Sequence, residues 1–578
     1  MTTVDAIVLA GGRATRMGGV DKPGIVVGGR SMLEAAIDAV AGCARTVVVG
    51  PHRSGLGPEI RQVQEVPAGS GPVAAIATGL RALAECDFPA DLVVVLAADM
   101  PFLSAAAIEQ LIARVLATDA EAVFAADESG RPQYLVGVWR RTALLNALDR
   151  LEAPMNQPMK ALIPARTAML PLDGAVDCDT PEDVAHARAQ AAPLSLDEAR
   201  NILRRKLSRL PAHRTALRRA AGATLAQPLT AAEALPRFDV SAMDGYATSG
   251  DGPWRVRHDI GFAGGDRPAG LHPGEAVRIA TGAHIPEGTD TVVRDEFVAS
   301  GADGLLHRLP DAPIRDDVRR RGEDWRPGDV VAVEGTPVSP ALVSVAAAAE
   351  VAEGLVRGPV RARIVMTGDE IRSEGPLRTG QTRDSIGPVL PDLLSWCGIH
   401  SLDRVHLRDT PNGFDEVLAH AGDCELLVIV GATGGGVADQ LRAALDRAGA
   451  QVLVHRLRLR PGGSTVIAEI DGGRAILGLP GNPFAAVATL LAVAPAIVEG
   501  LTGRPPRRAV TGPLRNAGEI SGPAPRIVPA RAVAEGGWAG DAHVRTAHLA
   551  GLLDRDGLVV VPAHATDEAA VEFLPLPV

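Results

Sequence analysis

Short apolar runs alternate with amphipathic stretches through the first 190 residues. Ala6–Ala10 is an apolar run that stops at Gly11-Gly12. Ser31-Met-Leu-Glu34 has the Ser-x-x-Glu spacing of a capping box and opens a helix. Thr46–Val49 reads as a second strand, Pro72–Ala84 as a second helix, Leu92–Leu96 as a third strand and Val123–Ala125 as a fourth. This rhythm predicts a parallel, doubly wound α/β domain over residues 1–190. Ligands of such sheets sit beyond the carboxyl ends of the strands, where Gly11 and Asp99 both fall.

The segment Ala189-Gln-Ala-Ala-Pro-Leu-Ser195 reads as a joint between modules. Residues 191–360 hold this linker and then, from about 230, short strand-like pieces cut by Gly and Pro, a β-rich region. The βα rhythm returns over 361–503, with strands at Arg363–Met366, Leu426–Val430 and Ala475–Leu477, and residues 504–578 again look β-rich. The longest apolar run, Phe484–Val498, is interrupted by Pro495 and falls below the roughly 20 residues a membrane span needs. No repeat of solenoid type is present.

Composition narrows the function classes. With 58 basic against 69 acidic residues the formal charge is −11, which argues against nucleic-acid and membrane-surface partners. Aromatic residues make up 3%, too few for base-stacking platforms. The start of the chain runs straight into a strand-like segment, so no signal peptide is expected. The cysteines, at 43, 86, 178, 397 and 424, form no close pair, which fits a reducing cytoplasm. Lysine occurs only at positions 22, 160 and 206, so each stands against a strong drift toward arginine. A retained lysine marks a place that wants a compact ammonium.

Leu9-Ala-Gly-Gly-Arg-Ala-Thr-Arg-Met-Gly18, followed by Asp21-Lys22-Pro23, carries the strongest local signal. Gly11 and Gly12 let backbone N–H groups approach a phosphate, while Arg13, Arg16 and Lys22 bring charge. Neither the Walker pattern nor Gly-x-Gly-x-x-Gly is present. Asp99 ends a strand before Pro101, where a carboxylate can hold magnesium against phosphates or cap the helix that follows.

Together with Gly71-Pro72, Gly79 and Asp179-Thr-Pro-Glu-Asp183, these segments resemble molybdenum cofactor guanylyltransferases over nearly all of 1–190. The resemblance implies that Leu9, Ala10, Gly11, Gly12 and Arg16 contact the nucleotide, that Lys22 meets its phosphates, and that Asp99 holds magnesium. The implied reaction is attack by the cofactor's terminal phosphate on the α-phosphorus of GTP, releasing pyrophosphate. Two places depart from the family pattern. Gly50-Pro51-His52 replaces an asparagine after the second strand, and Pro67-Ala-Gly-Ser70 precedes Gly71-Pro72, with the nearest acidic residue, Glu65, further upstream. A cytidylyl- or sugar-nucleotidyltransferase is the alternative for this half.

Further along come Ser241-Ala-Met-Asp-Gly-Tyr-Ala247, Ala280-Thr-Gly-Ala283, Arg321-Gly-Glu-Asp324, Thr367-Gly-Asp-Glu370 and Thr382-Arg-Asp-Ser385. Thr433-Gly-Gly-Gly436 with Asp439, and Gly478-Leu-Pro-Gly-Asn-Pro483, complete the set. Their order resembles molybdopterin molybdenumtransferases, which insert molybdate into adenylylated molybdopterin. This implies a central α/β domain of molybdopterin-binding type flanked by β-rich domains. It assigns Asp244 and Asp369 to catalysis and metal, and Thr281, Asp324, Asp384, Gly434, Gly435, Asp439, Pro480 and Pro483 to the pterin. Asp244, Asp324, Asp369 and Asp384 are candidates to converge on a divalent cation.

Three departures mark this half. Ile386 follows Asp384-Ser385 where the family has an asparagine. The loop Gly435-Gly-Val-Ala-Asp439 is shortened, and Pro461-Gly-Gly-Ser464 lacks the family's lysine, with Arg458 and Arg460 as candidate replacements. The alternative here is a cofactor-binding scaffold of low insertion activity.

The resemblances together imply a bifunctional cytoplasmic enzyme with magnesium as cofactor and GTP, molybdate and molybdopterin or molybdenum cofactor as substrates. They further imply a homodimer through the C-terminal half and transient contact with recipient molybdoenzymes. The histidines lack His-x-x-x-His spacing and no Gly-x-Ser-x-Gly occurs, which argues against a zinc hydrolase and a serine hydrolase.

Overall fold

The computed structural model describes residues 2–577 except 12–20, 86–88, 128–129, 411, 432 and 434–439. The apolar runs of the N-terminal region form one seven-stranded sheet. Its strands are β1 (Val4–Leu9), β2 (Arg45–Val49), β3 (Arg61–Val63), β4 (Leu92–Ala97), β5 (Ala122–Ala126), β6 (Pro132–Arg140) and β7 (Thr167–Pro171). The order across the sheet is β3-β2-β1-β4-β6-β5-β7.

The sheet is mixed, which corrects the all-parallel expectation. β6 runs antiparallel to both β4 and β5. Only residues 127–131 join β5 to β6, and so short a connection can make a hairpin but not a crossover.

Helices cover both faces: α1 (Met32–Ala39) and α3 (Ala105–Ala117) on one, α2 (Pro72–Ala84) and α4 (Arg141–Asp149) on the other. The capping box at Ser31 and Glu34 is formed. On β1, the fully buried Asp5 accepts hydrogen bonds from Arg45 on β2 and from Arg141 on α4, so one carboxylate is shared by two guanidiniums. At Gly79 of α2 a Cβ would lie 2.7 Å from Ile7 Cγ2, so the glycine sets how closely α2 rests on β1.

The chain divides into two compact units. One comprises Met1–Ser208, Arg361–Gly500 and Pro506–Val578, the other Arg209–Val360 with Leu501–Pro505. The second unit is β-rich. Its largest sheet has four strands, ordered Arg255–Gly261, Glu275–Ile279, Gly245–Thr248, Thr291–Arg294.

The first unit holds a second α/β sheet: β8 (Val360–Thr367), β9 (Ile399–Leu407), β10 (Leu426–Val430), β11 (Gln451–Val454), β12 (Val466–Ile470) and β13 (Arg474–Leu479), ordered β9-β8-β10-β13-β12-β11. β8, β10 and β13 are parallel, and β12 is antiparallel to β13 and β11. The tail adds a five-stranded antiparallel sheet over Val510–Pro575.

The joint near residues 187–196 is not a free tether. After α5 (Pro181–Gln190), Leu194 donates its N–H to the Arg456 carbonyl at 3.1 Å and accepts from Arg458 N at 2.7 Å. Helix α6 (Leu196–Lys206) follows and is pinned by salt bridges from Arg200 to Glu572, Arg204 to Glu499 and Lys206 to Glu34.

The apolar run near 484–498 extends to a 20-residue helix, Pro483–Thr502, long and apolar enough to cross a membrane. Nearly all of it is buried inside the protein, so its apolar character is that of a core helix.

Candidate functional site

Three parallel strands deliver the N-terminal site. β1 ends at Leu9, and the chain beyond it is stitched in on both sides. Ala10 N donates to Val49 O at 2.8 Å, and Ala98 N donates to Leu9 O at 3.0 Å. Gly50 packs its backbone on this turn, and a Cβ there would lie 2.7 Å from the Ala10 carbonyl carbon. The first position after β2 therefore leaves no room for a side chain.

A cavity of about 330 Å³ opens at these strand ends, lined by Leu9, Gly11, Lys22, Glu65, Asp99 and the first turn of α2 among others. A helix N-terminus at a cavity wall favours anions.

Lys22 is the centre of the charge network. Its Nζ lies 2.7 Å from Asp99 Oδ2 and 2.7 Å from Asp179 Oδ1. Burial alone would lower its pKa, but the two carboxylates outweigh burial and hold it above the ordinary lysine value. Asp99 does not cap α3, because Ser104 does so by accepting from Ala107 N. The other oxygen of Asp99, Oδ1, is buried without a hydrogen-bond partner. Burial, followed by the charges of Asp179 and Asp99, pushes the Asp177 pKa up. Three aspartates around one ammonium leave negative charge in surplus, and carboxylate oxygens are the ligands magnesium prefers.

The sequence pattern did not assign Glu65, yet the structure brings it to the cavity wall. The residue is 5% exposed. Its Oε1 accepts from Gly69 N at 2.9 Å, while Oε2 is buried with no hydrogen-bond partner. Asp179 was legible only as part of a motif; its contact with Lys22 needed the fold. Gly12 and Arg16 lie outside the described residues.

In the second unit, Asp244 and Thr281 meet. Asp244 Oδ1 accepts from Thr281 N at 2.7 Å and from Thr281 Oγ1 at 3.0 Å, and these bonds hold the Asp244 pKa below the ordinary carboxylate value. Asp324 pairs with Arg319, and Phe238 stacks on His284 with ring centroids 3.3 Å apart.

In the second α/β domain a cavity of about 890 Å³ is lined by Thr367, Asp384, Asp409, Thr433, Pro480 and Pro483, among others. Asp369 lies in the loop after β8, where its N–H donates to Asp409 Oδ2 at 3.3 Å and its Oδ1 accepts from Asp409 N at 3.4 Å. Asp384 is buried; Oδ1 accepts from Ile386 N and Gly387 N, and Oδ2 has no hydrogen-bond partner, with Arg404 at 3.8 Å. Ile386 is buried at the cavity wall, so its side chain gives this departure an apolar lining, and only its backbone N–H serves Asp384.

Ser464 Oγ lies 3.1 Å from Thr433 Oγ1 at the cavity wall. Arg458 and Arg460, the expected replacements for the missing lysine, are not among the described residues lining the cavity; Arg383 is. Their backbone N–H groups instead bond to Leu194 O and Pro525 O. Gly434, Gly435 and Asp439 lie outside the described residues.

Among the described residues, no three His, Cys, Asp or Glu side chains form a metal-holding group. Burial raises the thiol pKa of Cys178 and Cys397 to about 12, which argues against nucleophilic cysteine chemistry at either position.

Comparison with known proteins matches three segments of the chain. Residues 6–168 match the family described as MobA-like NTP transferase domain, 194–349 the MoeA N-terminal region (domain I and II), and 363–499 a probable molybdopterin binding domain. A molybdopterin molybdenumtransferase of Synechococcus elongatus is 31% identical over 320 residues, covering 51% of this chain and 77% of that protein. One from Haemophilus influenzae is 30% identical over 321 residues, covering 54% and 78%. A solved molybdopterin biosynthesis MoeA protein from Pyrococcus horikoshii aligns with a TM-score of 0.54 at 20% identity, over 67% of this chain and 100% of that one.

Proposed function

The chain belongs to the molybdopterin molybdenumtransferase family and carries a MobA-like NTP transferase domain ahead of the family region, and on that premise we propose that it is a bifunctional enzyme of molybdenum cofactor synthesis. In this reading the family region inserts molybdate into adenylylated molybdopterin. The N-terminal domain then transfers GMP from GTP to the product. The cofactor's terminal phosphate oxygen attacks the α-phosphorus, a P–O bond forms, the bond to the β-phosphate breaks, and pyrophosphate leaves.

The observation that carries the nucleotide assignment is the free buried oxygen of Glu65 at the wall of the strand-end cavity. A buried carboxylate oxygen without a donor is costly, and a ligand N–H removes that cost. Guanine offers two adjacent donors on one edge, the ring N–H and the amino group. The cytosine amino group offers one donor as well, so the choice of GTP over CTP rests on the resemblance of residues 1–190 to guanylyltransferases.

Asp99 and Asp179 supply hard oxygen ligands that suit magnesium, which when bound neutralises charge on the triphosphate. Lys22 meets the same phosphates and holds the two carboxylates in place. Asp244, Thr281, Asp369 and Asp384 are assigned to molybdate insertion, and the large cavity beside Asp384 to the pterin. Cytoplasmic location and homodimerisation through the family region complete the proposal.

The test is to incubate the full chain with molybdenum cofactor, magnesium and each labelled nucleoside triphosphate in turn. Transfer from GTP alone is expected, and transfer from CTP but not GTP overturns the assignment.

A further inference from the structure

Helix α5 is tied to other parts of the chain near both ends. Its N-terminus carries a capping box, Thr180 with Asp183, directly after Asp179, the residue that reaches Lys22. At the other end, Arg188 is largely buried, with its side chain 12% exposed. Its Nε donates to Val26 O at 3.2 Å, and Val26 follows the Lys22–Gly24 turn closely. One guanidinium therefore holds together the two segments that deliver Lys22 and Asp179.

A buried guanidinium needs a counter-charge as well as acceptors. The Val26 carbonyl supplies no charge. Arg188 meets a carboxylate outside its own domain: NH1 lies 2.8 Å from Asp446 Oδ1. Asp446 sits on Gln440–Arg447, a helix of the molybdopterin-binding domain, and the next residue, Arg447, pairs with Asp415 of that same domain. The carboxylate is thus presented from an anchored helix.

We infer that Asp446 is a positioning residue for nucleotidyl transfer, acting through Arg188 to hold Asp179 and Lys22 at the nucleotide site. The N-terminal transferase is in this sense completed by the domain fused behind it. The inference rests on the transferase reading above.

The experiment compares the full-length wild type, Asp446→Asn and Asp446→Glu. Mn²⁺ is titrated in the presence of GTP, and guanylyl transfer and molybdate-dependent AMP release are measured beside it. Asp446→Asn is expected to weaken Mn²⁺ half-saturation and transfer by about 10-fold each, the usual effect of losing a residue that orients a metal ligand. AMP release should be unchanged, and Asp446→Glu should recover most of the loss.

Unchanged Mn²⁺ half-saturation in Asp446→Asn overturns the inference, whether transfer is retained or falls with the folded fraction. If the wild type neither binds Mn²⁺ with GTP nor transfers nucleotide, the transferase reading itself is overturned, a result distinct from a silent Asp446.

Discussion

The ammonium of Lys22 lies 2.7 Å from a carboxylate oxygen of Asp179, 157 positions further along the chain. The same ammonium contacts Asp99 at the end of a different strand. Lys22→Ala and Asp99→Ala are each expected to abolish nucleotidyl transfer and leave molybdate-dependent AMP release intact. Near-normal transfer in either variant would remove that residue from the mechanism.

Glu65→Gln keeps the side chain's shape and replaces the free oxygen's charge. A hydrogen bond to a charged group contributes about 1.5–3 kcal/mol, so kcat/KM for GTP should fall roughly 10- to 100-fold. The ratio of GTP to CTP use is the measurement. An unchanged ratio would show that Glu65 does not read the base.

Asp369→Ala should act in the opposite sense to Lys22→Ala. Molybdate-dependent AMP release is expected to drop roughly 10- to 100-fold with guanylyl transfer retained. Parallel loss of both activities, followed by circular dichroism and thermal melting, would identify a folding defect.

His455 gives the fold an acid-sensitive point. Burial first, and then the neighbouring charges of Arg442, Arg456 and Arg188, push its pKa from 6.5 down to about 4. Between these values the unfolded chain binds the proton and the folded chain does not, so stability falls as pH drops from 6.5 to about 4. The full effect is on the order of 3 kcal/mol. Melting temperatures across this range should fall less steeply for His455→Leu than for the wild type.

Asp5 pairs with both Arg45 and Arg141 from a fully buried position on β1. Asp5→Ala leaves buried cationic groups without this partner, and a loss of about 3–5 kcal/mol is expected in urea unfolding. A loss below 1 kcal/mol would mean that water or another acceptor takes the carboxylate's place.

Much of the fold was legible in short-range patterns. The apolar runs marked β1, β2, β4, β5, β8, β10 and β13, because a buried strand must be apolar on both faces. The capping box at Ser31 holds because its partner Glu34 lies three residues away. Strand β6 escaped the parallel pattern, since its direction follows from the short connection before it and not from its own residues.

The site divides along the same line. Local sequence carried Leu9, Ala10 and Gly11 to a strand end and set Asp99 after the neighbouring strand, because strand ends and turns are written in runs of a few residues. It also separated the β-rich stretch near 230–340 from the α/β stretches on either side. Only tertiary packing decided that Lys22 would be shared by Asp99 and Asp179, that Glu65 would be left with an unused oxygen inside a cavity, that Ile386 would line the larger cavity, and that Arg188 would find its counter-charge on Asp446. Charge pairing and burial act through space at a few ångströms. Separation along the chain carries no information about them until the sheets bring the ends together.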